Sequence, residues 1–110
     1  MNKISTTEFK KLIGIGHLIL AEFYAGWCEP CKILDDILEE VKMKMRERID
    51  IQKIDVDASK DIAAHYHVKS VPVLILFKDG EVVWRMKGFL SAAELTKTFE
   101  KYLSKKNRPH

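Results

Sequence analysis

The sequence predicts an α/β sandwich: a mostly parallel sheet with an antiparallel hairpin at its edge and helices packed against it. Three features carry this expectation. Dense apolar runs of strand length alternate with segments whose apolar residues recur at helical spacing. Asp79-Gly80, a hairpin-turn pair, separates two strand-like runs. The 110 residues, 46% hydrophobic and 32% charged, suit one globular domain over 1–110 with its own core.

Each element has a local reason. Ser5-x-x-Glu8 forms a capping box that opens a short helix over "ISTTEFKKLI". His17 to Tyr24, "HLILAEFY", is apolar on both faces and belongs in the middle of a sheet. After the cysteines, Leu34, Ile37, Leu38, Val41 and Met45 line one face of the most regular helix. Its first half carries Asp35, Asp36, Glu39 and Glu40 and its end is basic, which complements the helix dipole. Ile49 to Val56 reads as a second strand. "SKDIAAHYH" reads as a short helix with Ser59 as N-cap. "VPVLILFKDGEVVWRM" is the hairpin, with Val82, Trp84 and Met86 alternating against Glu81, Val83 and Arg85. A second capping box, Ser91-x-x-Glu94, starts a last helix whose stripe is Leu95, Phe99, Tyr102 and Leu103.

Charge and composition exclude several functions. A net charge of +3 is small and evenly mixed. Its excess lies in Lys42, Lys44, Arg46 and Arg48 and in Lys105–His110, read as a solvated helix end and a frayed tail. No nucleic-acid surface is implied. The longest apolar run, Val71 to Phe77, is far too short to span a membrane, and "MNKISTTEFKK" does not read as a signal peptide. A close cysteine pair without an export signal points to redox or metal chemistry in the cytoplasm rather than a disulfide framework.

The pair is Cys28-Glu29-Pro30-Cys31, where a central strand gives way to a helix. Free N–H groups at a helix start favour a thiolate on Cys28. Pro30 fits the first turn, where its missing N–H costs little. One helical turn brings Cys31 beside Cys28, so a disulfide can open and close with little backbone movement. The expectation is that Cys28, exposed at the tip, attacks, and that Cys31, deeper, resolves. Zinc needs about four ligands, and beyond this pair only His65 and His67 could complete a site, so no metal is expected. Glu22 interrupts the apolar strand. Its burial should raise its affinity for a proton, as a proton acceptor for Cys31 requires, with Lys53 on the next strand as partner. Glu29, in the first turn, opposes a thiolate at Cys28 and so should tune its redox balance.

These residues resemble the thioredoxin family. "FYAGWCEPCK" is similar to its active-site signature, with tryptophan before the first cysteine, proline before the second and lysine after it. "KIDVDASKDIA" and "VKSVPVLILFKDGEVV" resemble its later segments, and the likeness spans about residues 4 to 104. The resemblance implies the thioredoxin fold, a central mixed β-sheet of about five strands flanked by about four helices. It makes Cys28 the nucleophile and Cys31 the resolving thiol, and places Glu22 where the family has a buried aspartate. It also implies a cis peptide at Pro72 and a docking surface of Trp27, Val71, Pro72, Gly88 and Phe89. Four positions depart from the usual pattern. Glu29 replaces glycine, Glu22 replaces aspartate, Val73 replaces threonine, and Asp36 replaces a helix-kinking proline.

The reading is a cytoplasmic, monomeric protein-disulfide reductase with no bound cofactor. By resemblance it would be recycled by an NADPH-dependent thioredoxin reductase. Its rivals are a disulfide oxidase or isomerase, and a redox-gated binding module without turnover.

Overall fold

The computed structural model describes residues 4–14 and 18–104. His17 and the Lys105–His110 tail lie outside the described residues. Helix α1 spans Thr6–Ile13, strand β1 Leu18–Tyr24, helix α2 Glu29–Met45 and strand β2 Ile49–Asp55. Helix α3 (Lys60–His65), strands β3 (Val73–Lys78) and β4 (Glu81–Lys87), and helix α4 (Ala92–Ser104) follow. Both capping boxes form: Ser5 and Glu8 exchange hydrogen bonds of 3.0 and 3.1 Å, and Ser91 and Glu94 do the same at 3.1 Å.

The sheet order is β2-β1-β3-β4, so β1 and β3 are the interior strands and are buried almost throughout. Leu18, Leu20, Leu74 and Leu76 face α2 and α4, meeting Leu34, Leu38, Val41, Leu95 and Phe99. Ile19, Phe23, Ile75 and Phe77 face the other way, against Phe9 of α1 and Ile62 of α3. The result is a sheet between two helical layers. Among the described residues no helix is long and apolar enough to cross a membrane.

Three expectations are corrected. The sheet is not mostly parallel: β1 runs parallel to β2, but β3 is antiparallel to both β1 and β4. The connection from β2 carries only the six-residue α3, whose Ile62 packs in the cluster that holds Phe23 and Val73. The chain stays on that side and enters β3 at the end where β1 finishes, Val73 opposite Phe23. The sheet has four strands among the described residues rather than about five. Finally, a register shift between Leu76 and Phe77 pairs Leu76 with Trp84 but Phe77 with Val82. Val83 is the extra residue, so the alternation breaks and Val82 is left 48% exposed.

Ser59 precedes α3 as expected, but its side chain makes no cap hydrogen bond. It is buried, and its Oγ accepts from the Ile4 N–H, tying the chain's start to α3. Lys44 pairs with Glu40, and Arg48 pairs with Glu100 and donates to carbonyls at the end of α2. The basic cluster is thus a capped, solvated helix end.

Candidate functional site

Strand β1 leads directly into the site. After Tyr24 the chain turns so that the Cys28 N–H donates to the Ala25 carbonyl at 3.2 Å, and Cys28 becomes the N-cap of α2. Its backbone is extended (φ −93°, ψ 111°), and its Sγ accepts the Cys31 N–H at 3.2 Å. A sulfur thereby stands where a serine or aspartate oxygen normally satisfies a free helix donor. Pro30 occupies the first turn, removing a donor that would have had no partner there. Cys28 and Cys31 form a disulfide with Cα atoms 5.3 Å apart, well within the span such a bond requires.

The expected exposure of Cys28 is not found. In the disulfide state Cys28 is 4% and Cys31 3% exposed, and both pack with Ala25 against Tyr24, Val56 and Val71. The cause is the cap itself, which folds the Cys28 sulfur back over the helix start. The two cysteines differ in position, one before the helix and one within its first turn, rather than in burial.

Around the pair the surface is apolar and open. Trp27 is 71% exposed, and its Nε1–H donates to Asp57 Oδ2 at 3.0 Å, which fixes the ring beside the disulfide. Val71-Pro72 is a cis peptide, and the Pro72 carbonyl accepts the Gly88 N–H at 2.9 Å. Gly88 has φ +86°, yet a side chain there would meet nothing within 4 Å. Glycine is therefore needed for its backbone conformation rather than for space. Phe89 beside it is 37% exposed. A groove of about 470 Å³ runs away from the pair between Trp27, Val56, Val68 and Val71, with Lys60 and Lys69 on its walls.

Glu22 lies mid-strand and is 1% exposed, with Lys53 opposite on β2 and Leu74 opposite on β3. Its Oε2 has no hydrogen-bond partner. Burial pushes its carboxyl up to about 8. A hydrogen bond to the Asp35 carboxyl and the Asp35 charge add to the rise, and Lys53 opposes it. The expected Glu22–Lys53 pair is not the one formed. Lys53 Nζ reaches Asp35 Oδ1 at 3.2 Å and lies over the Tyr24 ring at 4.6 Å. Burial lowers the Lys53 proton affinity, but Asp35, Glu22 and Tyr24 together more than offset this and leave it raised. Glu22, Asp35, Asp36, Glu39, Lys42 and Lys53 line a cavity of about 240 Å³.

Glu29 is the first residue of α2, and its exposed carboxylate pairs with Lys32 at 3.2 Å. His65 ends α3 with its ring against Tyr66, and His67 has φ +56°. Among the described residues no three His, Cys, Asp or Glu side chains are grouped to hold a metal ion. The residues that sequence reasoning missed are Asp35 and Asp57. Asp35 carried a usable signal: it stands four residues after Cys31 and three before Leu38, and so on the helix face that both bury. Asp57 carried none, since only the folded loop after β2 brings it to Trp27.

A strand-to-helix junction holding a Cys-x-Pro-Cys disulfide beside a cis-proline loop and an apolar groove defines a thiol–disulfide exchange protein. Comparison with known proteins agrees. The thioredoxin family model matches residues 1–101. The chain is 42% identical over 86 residues to thioredoxin of Bacillus subtilis, covering 78% of this chain and 83% of that one. It is 40% identical over 92 residues to a thioredoxin-like protein of Synechocystis sp., covering 84% and 88%. Among solved structures, a mutant thioredoxin from Halobacterium salinarum superposes with a TM-score of 0.81 at 34% identity, covering 92% of this chain and 88% of that one. Oxidised mitochondrial thioredoxin 3 from Saccharomyces cerevisiae gives 0.80 at 31%, covering 92% and 94%. The chain belongs to the thioredoxin family. It is a thiol–disulfide oxidoreductase with the thioredoxin fold, acting by dithiol–disulfide exchange through its Cys-x-Pro-Cys pair.

Proposed function

We propose that the chain is a monomeric, cytoplasmic reductase of protein disulfides. The observation that carries the assignment of roles is the N-cap geometry of Cys28, whose sulfur accepts the Cys31 N–H. In the reduced protein the same donor favours a Cys28 thiolate. That thiolate attacks one sulfur of a substrate disulfide. A Cys28–substrate disulfide forms, and the other substrate sulfur leaves as a thiolate that takes a proton from water. Cys31 then gives its proton to Glu22 and attacks the Cys28 sulfur. The Cys28–Cys31 bond forms, and the second substrate sulfur departs and is protonated. Two electrons have passed from the dithiol to the substrate, and an NADPH-dependent thioredoxin reductase returns them.

Glu22 suits the proton transfer because it shares a cavity with Asp35, which stands one helical turn beyond Cys31. Lys53 assists as the cation nearest that carboxyl pair. Trp27, Val71, Pro72, Gly88 and Phe89 receive the substrate chain. The groove beside Trp27 and Val71 offers it apolar contact. No step calls for a metal or an organic cofactor on this chain.

Single-cysteine variants test the roles. Cys28→Ser abolishes reduction of a disulfide-bearing protein. Cys31→Ser accumulates a mixed disulfide, visible as a dithiothreitol-sensitive mass adduct on Cys28. Equal accumulation by both variants would remove the assignment.

A further inference from the structure

The Glu22 cavity contains a second carboxylate that the steps above leave idle. Lys53 stands directly across the β1–β2 pairing from Glu22, yet its ammonium lies 3.2 Å from Asp35, and Glu22 Oε2 is left without a partner. Asp35 projects from α2 one turn past Cys31 and is 42% exposed, whereas Glu22 is 1% exposed. It therefore stands between a buried acid, a lysine and solvent.

We propose that Asp35 is a positioning residue of the exchange reaction, holding the Lys53 ammonium off Glu22 and so setting the pH at which Glu22 accepts the Cys31 proton. The proposal rests on the role of Glu22 given above. A lysine paired directly with Glu22 would favour its carboxylate by one to three pH units and leave a weak base at neutral pH. Asp35 prevents this in two ways. It satisfies the ammonium itself, and it sets a like charge beside Glu22. Glu22 then binds a proton readily once ionised, as a base working near neutrality should.

The other charged groups on the cavity do not substitute for Asp35. Asp36, Glu39 and Lys42 reach it from α2, where all three are exposed. From β2 comes Lys53, and Tyr24 of β1 lies under its ammonium. On the β3 side Glu22 faces Leu74, and no α4 residue lines the cavity. In each cycle Glu22 takes one proton from Cys31 and must release it to water, and the solvent-facing Asp35 lies on the way out.

Two readouts test the proposal. The carboxyl stretch of Glu22, isolated by infrared difference against Glu22→Gln in the oxidised protein, gives its titration midpoint without any reaction. Rapid-mixing kinetics of Cys31 attack on a preformed Cys28 mixed disulfide give the pH profile of resolution. In Asp35→Asn both midpoints should fall by about one pH unit or more, because Lys53 turns to Glu22. Adding Lys53→Met to Asp35→Asn should raise them again, and Asp35→Glu should stay near the parent. An unmoved midpoint in Asp35→Asn overturns the proposal. So does a double variant as low as the single one, or an infrared shift that the resolution profile does not follow. If the parent protein reduces no disulfide, the proposed function fails, while the infrared series still decides the Asp35–Lys53 arrangement. Normal turnover with an unmoved midpoint removes only the present proposal.

Discussion

Replacing Glu22 by Gln should change how stability depends on pH, by an amount that follows from its burial. The Glu22 carboxyl lies at about 8 in the folded chain against its ordinary 4.5. In that window the folded protein holds a proton that the unfolded chain has lost. Stability is therefore greatest below pH 4.5 and declines as pH rises to about 8, where the folded protein too must carry the buried charge. At 1.36 kcal/mol per pH unit the loss accumulates to about 4 kcal/mol between pH 5 and pH 9. Gln does not titrate, so this decline disappears in Glu22→Gln. Any fixed cost of the amide is the same at every pH and cancels from the slope. Urea unfolding of the oxidised proteins at half-unit pH steps measures it. The stability of the variant relative to the parent should rise by about 4 kcal/mol from pH 5 to pH 9. A relative stability constant within about 1 kcal/mol across that range would show that Glu22 is solvated when ionised, and the reasoning on its burial would fall.

Three further outcomes follow from the same geometry. Gly88→Ala should cost roughly 1–2 kcal/mol in urea unfolding, because its φ of +86° is unfavourable for a side chain even where there is room. Gly88→Asn should cost less, since asparagine tolerates that region, and equal losses from Ala and Asn would argue against the backbone explanation. Glu29→Gly should make the dithiol more oxidising by removing a charge that opposes the Cys28 thiolate. Its pairing with Lys32 and its exposure hold the change below about 30 mV, to be read by glutathione equilibration. The change should vanish in 1 M salt, where the screening length is about 3 Å, and a salt-independent change would point to backbone flexibility instead. In reduction assays Trp27→Ala should raise KM for protein substrates while leaving the attack of Cys28 on a small disulfide unchanged. A matching loss on the small disulfide would mean that Trp27 shapes the cysteine pair rather than docking substrate.

The local signals in the sequence were strong wherever one helix or strand sufficed to define them. The apolar run of β1 on both faces, the stripe of α2 and the two capping boxes each depend on spacing alone, and each appears where its spacing puts it. The direction of β3 depends instead on where α3 packs and at which end of the sheet the chain then enters. The bulge at Val83 depends on how β4 must bend to pair. Neither is written in periodicity. At the site, the cysteine pair and the buried glutamate were legible as a motif and as a polar break in an apolar strand. The partner of Lys53 was not, because cross-strand register favoured Glu22 and only the packing of α2 over β2 brings Asp35 within reach. The burial of Cys28 was hidden for a similar reason: an exposed tip was inferred from the helix start, but the sulfur caps that start and turns inward.

The central claim is that the Cys28–Cys31 pair is an electron donor to protein disulfides. Equilibration of the purified protein with graded ratios of reduced and oxidised glutathione, quenched with acid and read by the mass of the alkylated product, gives its reduction potential directly. The account predicts a value near about −270 mV, at which the dithiol passes electrons to most exposed protein disulfides. A value near about −180 to −120 mV, the range of disulfide isomerases and oxidases, would contradict it.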